Sequence, residues 1–439
     1  QAHTPWGQEL PAPISRLAWD NYITISAADA EKLGLVNKTN GRMQLDGSLV
    51  DLSINGKDLV KNVPVFIQPG QASGSIGLAL GYGQAKSGKV GQTGVNAYPA
   101  YLKSNLLQYN VSVKPVGGMH EFASMQMQGT LMGRYEIARE IPLDTYLHED
   151  SKVWNAPMEM HTYVGEMPIG KIDLWREYDS ADGPHFNLAI DLNSCTGCGA
   201  CVIACQAENN VPVVGKEEMR MSRDMYWLRI DRYYSAKQKI EQKKEILENM
   251  DQVPMYKELI EPHPTNPDVI FQPVMCQHCN HAPCETVCPV AATSHGKQGQ
   301  NQMAYNRCVG TRYCANNCPY KVRRFNWFNY ALNDKFDYNM NNDLGRMVLN
   351  PDVAVRSRGV MEKCSMCIQM TQATILEAKK QGRKVEDGEF EVACSKACSS
   401  GSIKFGNIND PDSEVSRLSK DKRKYVLLEE VGTKPNVFY

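Results

Sequence analysis

The stretch CTGCGACVIAC, residues 195–205, holds four cysteines separated by two, two and three residues. This spacing puts three thiolates on one tight loop, where they can bind corners of an iron–sulfur cubane, and carries the fourth one helical turn onward toward a neighbouring cluster. Thiolates suit this role because iron in such clusters prefers soft, anionic sulfur ligands. The stretch therefore predicts a fold built around iron–sulfur clusters.

Three further cysteine groups lie downstream. They read CQHCNHAPCETVCP at 276–289, CVGTRYCANNCP at 308–319, and, as a split group, CSMC at 364–367 with CSKAC at 394–398. The first group has the spacing of bacterial ferredoxins, and a proline follows the last cysteine of the second and third groups, as in that run. The cysteines of the four groups are Cys195, Cys198, Cys201, Cys205, Cys276, Cys279, Cys284, Cys288, Cys308, Cys314, Cys318, Cys364, Cys367, Cys394 and Cys398.

Other uses of cysteine fit this distribution less well. All fifteen lie between Cys195 and Cys398, and an odd number cannot pair completely in disulfides. A zinc ribbon needs two CxxC pairs, which leaves the third cysteine of each group and the recurring three-residue step unexplained. No C-x-x-C-H occurs for haem attachment, and His278 and His281 are interpreted as loop hydrogen-bonding residues rather than ligands.

The third group departs from the regular spacing at Thr311. It stands three residues after Cys308, where the spacing predicts a cysteine. Because a hydroxyl is a poor iron ligand beside thiolates, we expect that corner of the cube to be empty. Three 4Fe–4S clusters and one 3Fe–4S cluster would then use all fifteen cysteines.

Composition limits the partners. Lys and Arg number 48 against 49 Asp and Glu, which gives a formal net charge of −1 and no electrostatic footprint for nucleic acid. No apolar run reaches the roughly 18 residues needed to span a bilayer. Any connection to a membrane is therefore expected to run through a partner.

The chain divides into three parts, which together predict an α+β fold. Residues 1–118 read as a β-barrel with a helix from Ala27 to Leu33, capped by Ser26 and ended by Gly34, and with hairpin turns at Asp46-Gly47 and Asn55-Gly56. Residues 119–186 lack a sustained period and are interpreted as an extended linker. Residues 187–439 form the cluster domain, with an insertion at 216–262 that carries a strand at 226–233 and a charged, solvated helix at 236–250.

Residues around the cysteines carry a resemblance to a known family. YWLRIDRY at 226–233, CPYKVRRFNWFNY at 318–330 and SGSIKFGNIND at 400–410 resemble the four-cluster ferredoxin subunits of nitrate, polysulfide and dimethyl sulfoxide reductases. The resemblance covers about residues 186–412 and implies tandem ferredoxin-like modules with the groups paired first with fourth and second with third. Ser399 stands where that family usually has proline, which loosens the loop without removing a ligand.

This resemblance implies four ligand sets. The 4Fe–4S sets would be Cys195, Cys198, Cys201 and Cys398; Cys205, Cys364, Cys367 and Cys394; and Cys276, Cys279, Cys284 and Cys318. The 3Fe–4S set would be Cys288, Cys308 and Cys314, with Thr311 at the vacant corner. In the family the four clusters lie in a line, and the last is nearest the membrane subunit.

The front of the chain carries a second resemblance. NYITISAADAEKLGL at 21–35, VPVFIQPGQASGSIGLALGYG at 63–83 and TGVNAYP at 93–99 look like the C-terminal β-barrel domain of molybdopterin oxidoreductases. Its fusion to a four-cluster subunit resembles the iron–sulfur subunits of bacterial alternative complex III, in which the molybdopterin-like part carries no molybdenum cofactor. We therefore expect no molybdopterin here, and we expect the remaining molybdopterin-like domains to precede Gln1.

These resemblances imply an electron relay. Electrons would pass from an integral membrane quinol-binding subunit to multihaem cytochrome c subunits, on the periplasmic face of the bacterial inner membrane. One alternative is the electron-transfer module of an active molybdopterin oxidoreductase, and another is a structural zinc protein. The basic, aromatic stretch 321–327 either packs against the membrane subunit or covers the clusters.

Overall fold

The computed structural model describes residues 4–84, 90, 93–101, 105–173, 183–235, 260–338 and 341–439. The charged helix expected at 236–250 lies outside these residues. No helix within the described ranges is long and apolar enough to cross a membrane.

The front of the chain forms strands around one helix. The helix Ala27–Leu33 is confirmed, with Ser26 Oγ accepting from the Asp29 backbone N–H and Gly34 in the left-handed conformation at its end. The strands are β1 (Leu17–Ala18), β2 (Ile23–Ile25), β3 (Asn37–Thr39), β4 (Leu45–Ile54), β5 (Lys57–Ile67), β6 (Ile76–Leu78), β7 (Val111–Glu121) and β8 (Ala123–Ser124).

One of the two predicted hairpin turns is confirmed and one is wrong. Asn55 and Gly56 connect β4 to β5 with φ of 51° and 75°, as a tight hairpin turn requires. Asp46-Gly47 lies inside β4 instead, paired with both β3 and β7. Glycine is needed there for packing, because a Cβ on Gly47 would lie 2.4 Å from the Phe122 ring.

The front sheet is open where a closed barrel was expected. β4 pairs with β7 on one edge and with β3 and β5 on the other, and β5 continues through β2 to β6. Closure requires partners on both edges of every strand. Among the described residues β6 and β7 each have one partner strand, so the sheet has free edges. Its core consists of aliphatic side chains from β2, β4 and β5, including Ile23, Val50 and Val63.

The first residues of the chain pack into the cluster domain. The helix Pro5–Glu9 contacts the helix Ala200–Glu208, and β1 pairs with β8. Glu9, 0 % exposed, accepts hydrogen bonds from the backbone N–H groups of Val214 and Gly215 at 3.0 and 2.9 Å. The start of the front unit is thereby attached to the larger core.

Residues 119–186, the predicted linker, begin with the end of β7 and end at the start of β11 (Phe186–Ile190). Between these, their described part also holds β8, the helices Leu143–His148 and Ser151–Trp154, the hairpin of β9 (Glu159–Thr162) and β10 (Gly165–Pro168), and the 3-10 turn Ile169–Lys171.

The cluster domain combines small sheets with short helices. Its strands are β11 (Phe186–Ile190), β12 (Leu228–Ser235), β13 (Asp268–Met275), β14 (Thr293–His295), β15 (Asn301–Met303), β16 (Arg324–Phe325), β17 (Met361–Glu362), β18 (Ile403–Asn407) and β19 (Val437–Phe438). Its α-helices are Ala200–Glu208, Lys216–Arg220, Pro283–Thr286, Tyr313–Asn316, Asp343–Arg346, Ile368–Lys380, Ala393–Lys396 and Glu414–Leu418. Single 3-10 turns across the chain are Tyr98–Ala100, Ile169–Lys171, Tyr305–Arg307, Tyr330–Leu332, Asp334–Phe336 and Glu429–Val431.

Pairs of cysteine-bearing helices organise this domain. The helix Ala200–Glu208 packs against Ala393–Lys396, which joins the first cysteine group to the fourth. The helix Pro283–Thr286 packs against Tyr313–Asn316, which joins the second group to the third. The helix Ala393–Lys396 also contacts β18. β18 pairs antiparallel with β11, which pairs on its other edge with β19 in parallel.

Candidate iron–sulfur centres

All fifteen cysteines are free thiols. Ten are buried, Cys195, Cys288, Cys308 and Cys398 are half-buried, and Cys198 is exposed. Free, buried thiols inside a core that also contains apolar side chains provide soft sulfur donors without disulfide competition.

The first neighbourhood of thiols combines the first group with the end of the fourth. Burial, followed by the charges of Cys195, Cys198 and Cys398, raises the pKa of Cys201 to about 12. Cys398 likewise acts on Cys195. Thiols about 200 residues apart in sequence therefore act on one another, because the helix Ala200–Glu208, which carries Cys201, packs against the helix Ala393–Lys396, which ends two residues before Cys398.

The second neighbourhood lies deeper. Burial is the main cause that raises the pKa of Cys205, followed by the charges of Cys364, Cys367 and Cys394. The Asn209 side-chain N–H lies 3.7 Å from the Cys205 sulfur and 3.8 Å from the Cys367 sulfur, and bridges them.

The third neighbourhood joins the second and third groups. Burial raises the pKa of Cys279, and the charges of Cys276, Cys284 and Cys318 add to this. The Arg323 guanidinium Nη2 donates to the Cys284 sulfur at 3.0 Å.

The remaining thiols, Cys288, Cys308 and Cys314, are less closely connected. Burial opposes ionisation of Cys288, but the backbone N–H groups of residues 290, 292 and 293 outweigh it and lower its pKa. The Met361 backbone N–H donates to the Cys308 sulfur at 3.5 Å. Cys314 lies on the helix that packs against Pro283–Thr286, and Thr311 is exposed in the loop before it.

Hydrogen bonds to sulfur test whether these residues fit an anionic cluster. Backbone N–H groups donate to Cys288 from Ala292 at 3.2 Å, to Cys364 from Met366 at 3.3 Å and to Cys367 from Ala393 at 3.5 Å. Such donors favour the thiolate and tune the potentials of iron–sulfur clusters. The donor set therefore fits the cofactor that the spacing predicts. Within the described ranges, no three His, Cys, Asp or Glu side chains meet the geometry for a single metal ion.

Sequence reasoning missed the polar side chains around the sulfurs. Arg323 belongs to the stretch 321–327, in which every residue except Lys321 is buried or half-buried, and this favours the covering role over membrane contact. The hydrogen-bonding role expected of His278 is confirmed, since its Nδ1 accepts from the Asn301 backbone N–H at 3.0 Å. A basic residue placed shortly after Cys318 was the available signal for Arg323.

Comparisons with known proteins bear on the cofactor. Two family models, each described as a 4Fe-4S dicluster domain, match residues 194–292 and 267–336. The chain is 35 % identical over 258 residues to the menaquinone reductase iron-sulfur cluster-binding subunit of Nitratidesulfovibrio vulgaris, covering 58 % of this chain and 88 % of that protein. It is 32 % identical over 269 residues to the Hdr-like menaquinol oxidoreductase iron-sulfur subunit 1 of Archaeoglobus fulgidus, covering 57 % and 81 %.

A third relative is named for arsenate reduction, whereas the first two are named for menaquinone or menaquinol. The arsenate respiratory reductase iron-sulfur protein of a Shewanella species is 27 % identical over 273 residues, covering 57 % of this chain and 94 % of that protein. The two matches begin at residues 194 and 267, so neither extends into the front sheet. The cysteine motifs bind 4Fe–4S clusters, and the front sheet remains without an assigned type.

Proposed function

Because this chain belongs to the ferredoxin-type iron–sulfur subunits of the dimethyl sulfoxide reductase, NrfC and menaquinone reductase family, we propose that it relays electrons through four clusters and performs no substrate chemistry. The observation that carries the proposal is the gathering of free thiols from separate groups into common neighbourhoods. A protein that holds several clusters close together suits the passage of electrons between sites that its partners supply.

The proposed ligand sets follow these neighbourhoods. The charges of the three thiols that the family resemblance groups with each of Cys201, Cys205 and Cys279 act on the pKa of that thiol. Charges also act between sets, since Cys276 raises the pKa of Cys364. The fourth set, Cys288, Cys308 and Cys314, rests on the resemblance and on the packing of two helices.

The fourth cluster is proposed to be 3Fe–4S. Thr311 stands where the spacing predicts a thiolate. Its side chain is exposed and carries a hydroxyl in place of a sulfur donor. Oxidised protein should then give the sharp EPR signal of an oxidised three-iron cluster. Finding four irons in every cluster of carefully prepared protein would contradict this assignment.

The proposed partners are an integral membrane quinol-binding subunit and multihaem cytochrome c subunits, on the periplasmic face of the inner membrane. The names of two relatives refer to menaquinone or menaquinol, which supports the quinol end of the relay. The resemblance to alternative complex III supports the cytochrome end. The front sheet is proposed to be a remnant of a molybdopterin oxidoreductase C-terminal domain that stiffens the relay and binds no pterin.

A second candidate is the electron-transfer module of an active molybdopterin oxidoreductase. The relative named for arsenate respiratory reductase favours it, because that name refers to reduction of an oxyanion. In that case the front sheet would contact a pterin dinucleotide held by further domains.

Elemental analysis of the intact complex separates these candidates. We expect about fifteen irons per chain from the proposed clusters, without stoichiometric zinc or molybdenum, and quinol-dependent reduction of cytochrome c. Stoichiometric molybdenum with turnover of an oxyanion or sulfur substrate would favour the second candidate. Zinc in place of iron would overturn both.

A further inference from the structure

Arg323 is a buried cation beside the third thiol neighbourhood. It is 6 % exposed, and its Nη2 donates to the Cys284 sulfur at 3.0 Å, to Thr293 Oγ1 at 2.8 Å and to Asn301 Oδ1 at 3.0 Å. Its remaining recorded contact is from Nη1 to the Met303 sulfur at 3.9 Å. Of these partners only Cys284 can carry a negative charge, as its thiolate. Arginine itself stays protonated in proteins.

Lys363 is a second buried cation between two neighbourhoods. It is 1 % exposed, and its Nζ donates to the backbone carbonyls of Asn301 and Cys364. Its charge acts on both Cys364 and Cys284, which the proposed ligand sets assign to different clusters.

These two cations lack the ion pair that a buried charge normally needs. Burying a charge is costly unless it is paired and hydrogen-bonded. Arg356, which is equally buried, has Glu362 at 2.8 Å. Among the described residues, no carboxylate lies within ion-pair distance of Arg323 or Lys363. The charges of Lys363 and Arg323 both act on Glu285, but burial outweighs them and raises the pKa of this carboxyl, which disfavours its anionic form.

The thiolates are the negative partners that remain. The charges of Cys284, Cys276, Cys314 and Cys318 outweigh burial and raise the pKa of Arg323. A cluster held by thiolates carries negative charge, and a reduced cluster carries one more electron than an oxidised one. A fixed positive charge nearby therefore stabilises the reduced form more strongly.

The first neighbourhood differs in its contacts to sulfur. The Cys398 sulfur lies 3.6 Å from the Ser400 hydroxyl, and in the part of the chain that the structure describes no arginine or lysine side chain donates a hydrogen bond to the sulfur of a cysteine in this neighbourhood. The acid Asp191 contributes to raising the pKa of Cys195, after burial and the neighbouring thiols.

We propose that Arg323, with Lys363, raises the reduction potential of the cluster held by Cys276, Cys279, Cys284 and Cys318 above that of the cluster held by Cys195, Cys198, Cys201 and Cys398. The inference rests on the proposed function, because it assumes that these sets hold clusters. Of these two clusters, the one held by Cys276, Cys279, Cys284 and Cys318, called the interior cluster below, would then preferentially hold an electron that passes between them, without bond formation or proton transfer. Neither cation exchanges an electron itself. Both influence where the electron resides, because their charge stabilises the reduced form of the nearby cluster.

The test is an EPR-monitored redox titration of the purified complex carrying Arg323→Gln or Lys363→Gln. The signal of the interior cluster is identified by its loss in Cys279→Ser. At fixed ambient potential, each charge removal should shift the oxidised-to-reduced ratio of that cluster at least tenfold toward the oxidised form, about 59 mV for one electron. Arg323→Lys keeps the charge and should recover most of the shift.

The matched control is Arg220→Gln. Arg220 is a partly buried arginine whose guanidinium pairs with Asp46 at 3.1 Å and donates to the Phe122 carbonyl, without a recorded contact to a cysteine. Its removal should leave the interior potential unchanged.

The outcomes separate the inference from the proposed function. Wild-type complex without iron at these sets would refute the function itself. Full iron content with unchanged potentials in both glutamine variants would overturn the inference and leave the function standing. If Arg323→Gln loses iron, the potential measured in Lys363→Gln decides whether the inference holds. Loss of iron in both variants would also overturn the inference, because the two cations would then be needed for cluster assembly.

Discussion

Breaking the buried ion pair between Arg356 and Glu362 should strongly destabilise the cluster domain. Arg356 Nη2 donates to Glu362 Oε2 at 2.8 Å, and the two side chains are 0 % and 1 % exposed. Arg356 also donates to the Asn209 carbonyl at 2.8 Å. In Arg356→Met the Glu362 carboxylate would remain buried with only the neutral donors Asn326 Nδ2 and Trp227 Nε1.

The magnitude follows from that uncompensated charge. Removing one partner of a buried pair costs about 3–5 kcal/mol, whereas an exposed pair contributes about 0.2–1 kcal/mol. With a guanidinium slope of roughly 2–6 kcal/mol per molar, the unfolding midpoint should fall by on the order of 1 M. Circular dichroism during guanidinium titration of the purified chain measures this shift.

The exposed pair Lys380–Glu377 supplies the control. Its atoms lie 3.4 Å apart, but the side chains are 62 % and 54 % exposed, so Lys380→Met should move the midpoint only slightly. Replacing both Arg356 and Glu362 with Met should recover most of the stability, since a buried pair can often be exchanged for apolar residues. The reasoning would be refuted if Arg356→Met behaved like Lys380→Met, or if the double variant were no more stable than the single one.

Three further predictions concern the cysteine loops. Cys398→Ser should perturb the EPR signal of the cluster held by the first group, and the crosswise ligand assignment fails if only the cluster of Cys364 changes. Thr311→Cys should add a fourth iron to the fourth cluster and remove the three-iron EPR signal; an unchanged signal with full iron content elsewhere would show that Thr311 does not occupy the vacant corner. Gly310→Ala should cost about 1–2 kcal/mol for its left-handed φ of 73°, besides a Cβ only 2.4 Å from the Gly359 carbonyl oxygen, and should lower the iron content of the fourth cluster, which iron analysis checks against the wild type.

Local patterns in the sequence predicted the features that depend on neighbouring residues. The helix Ala27–Leu33 begins and ends where its cap residues indicate, because capping involves atoms only a few residues apart. The Asn55-Gly56 turn is correct for the same reason. The 4Fe–4S motifs were recognisable because three of the four thiolates on a cluster come from one short loop.

Features that depend on distant residues could not be predicted in this way. Asp46-Gly47 has the composition of a turn, but Phe122, which lies between β7 and β8 far along the chain, packs against Gly47. Closure of the front sheet depends on which strand edges meet, and hairpin signals do not contain that information. The contact of Arg323 with Cys284 arises only when two cysteine groups fold together, so a basic residue in a cysteine-rich stretch could equally have faced a partner.

The attachment of Glu9 has a consequence for biosynthesis. Its hydrogen-bond partner Gly215 lies 206 residues later, so the helix Pro5–Glu9 cannot dock until that part of the chain has left the ribosome. At about 5–20 residues per second, this delay is roughly 10–40 s. The front sheet takes its strands from residues 23–121 and can form during the wait, whereas the helix Pro5–Glu9 packs against the Ala200–Glu208 helix only afterwards. Docking of the helix Pro5–Glu9 should therefore be a late event in maturation, close in time to loading of the first cluster.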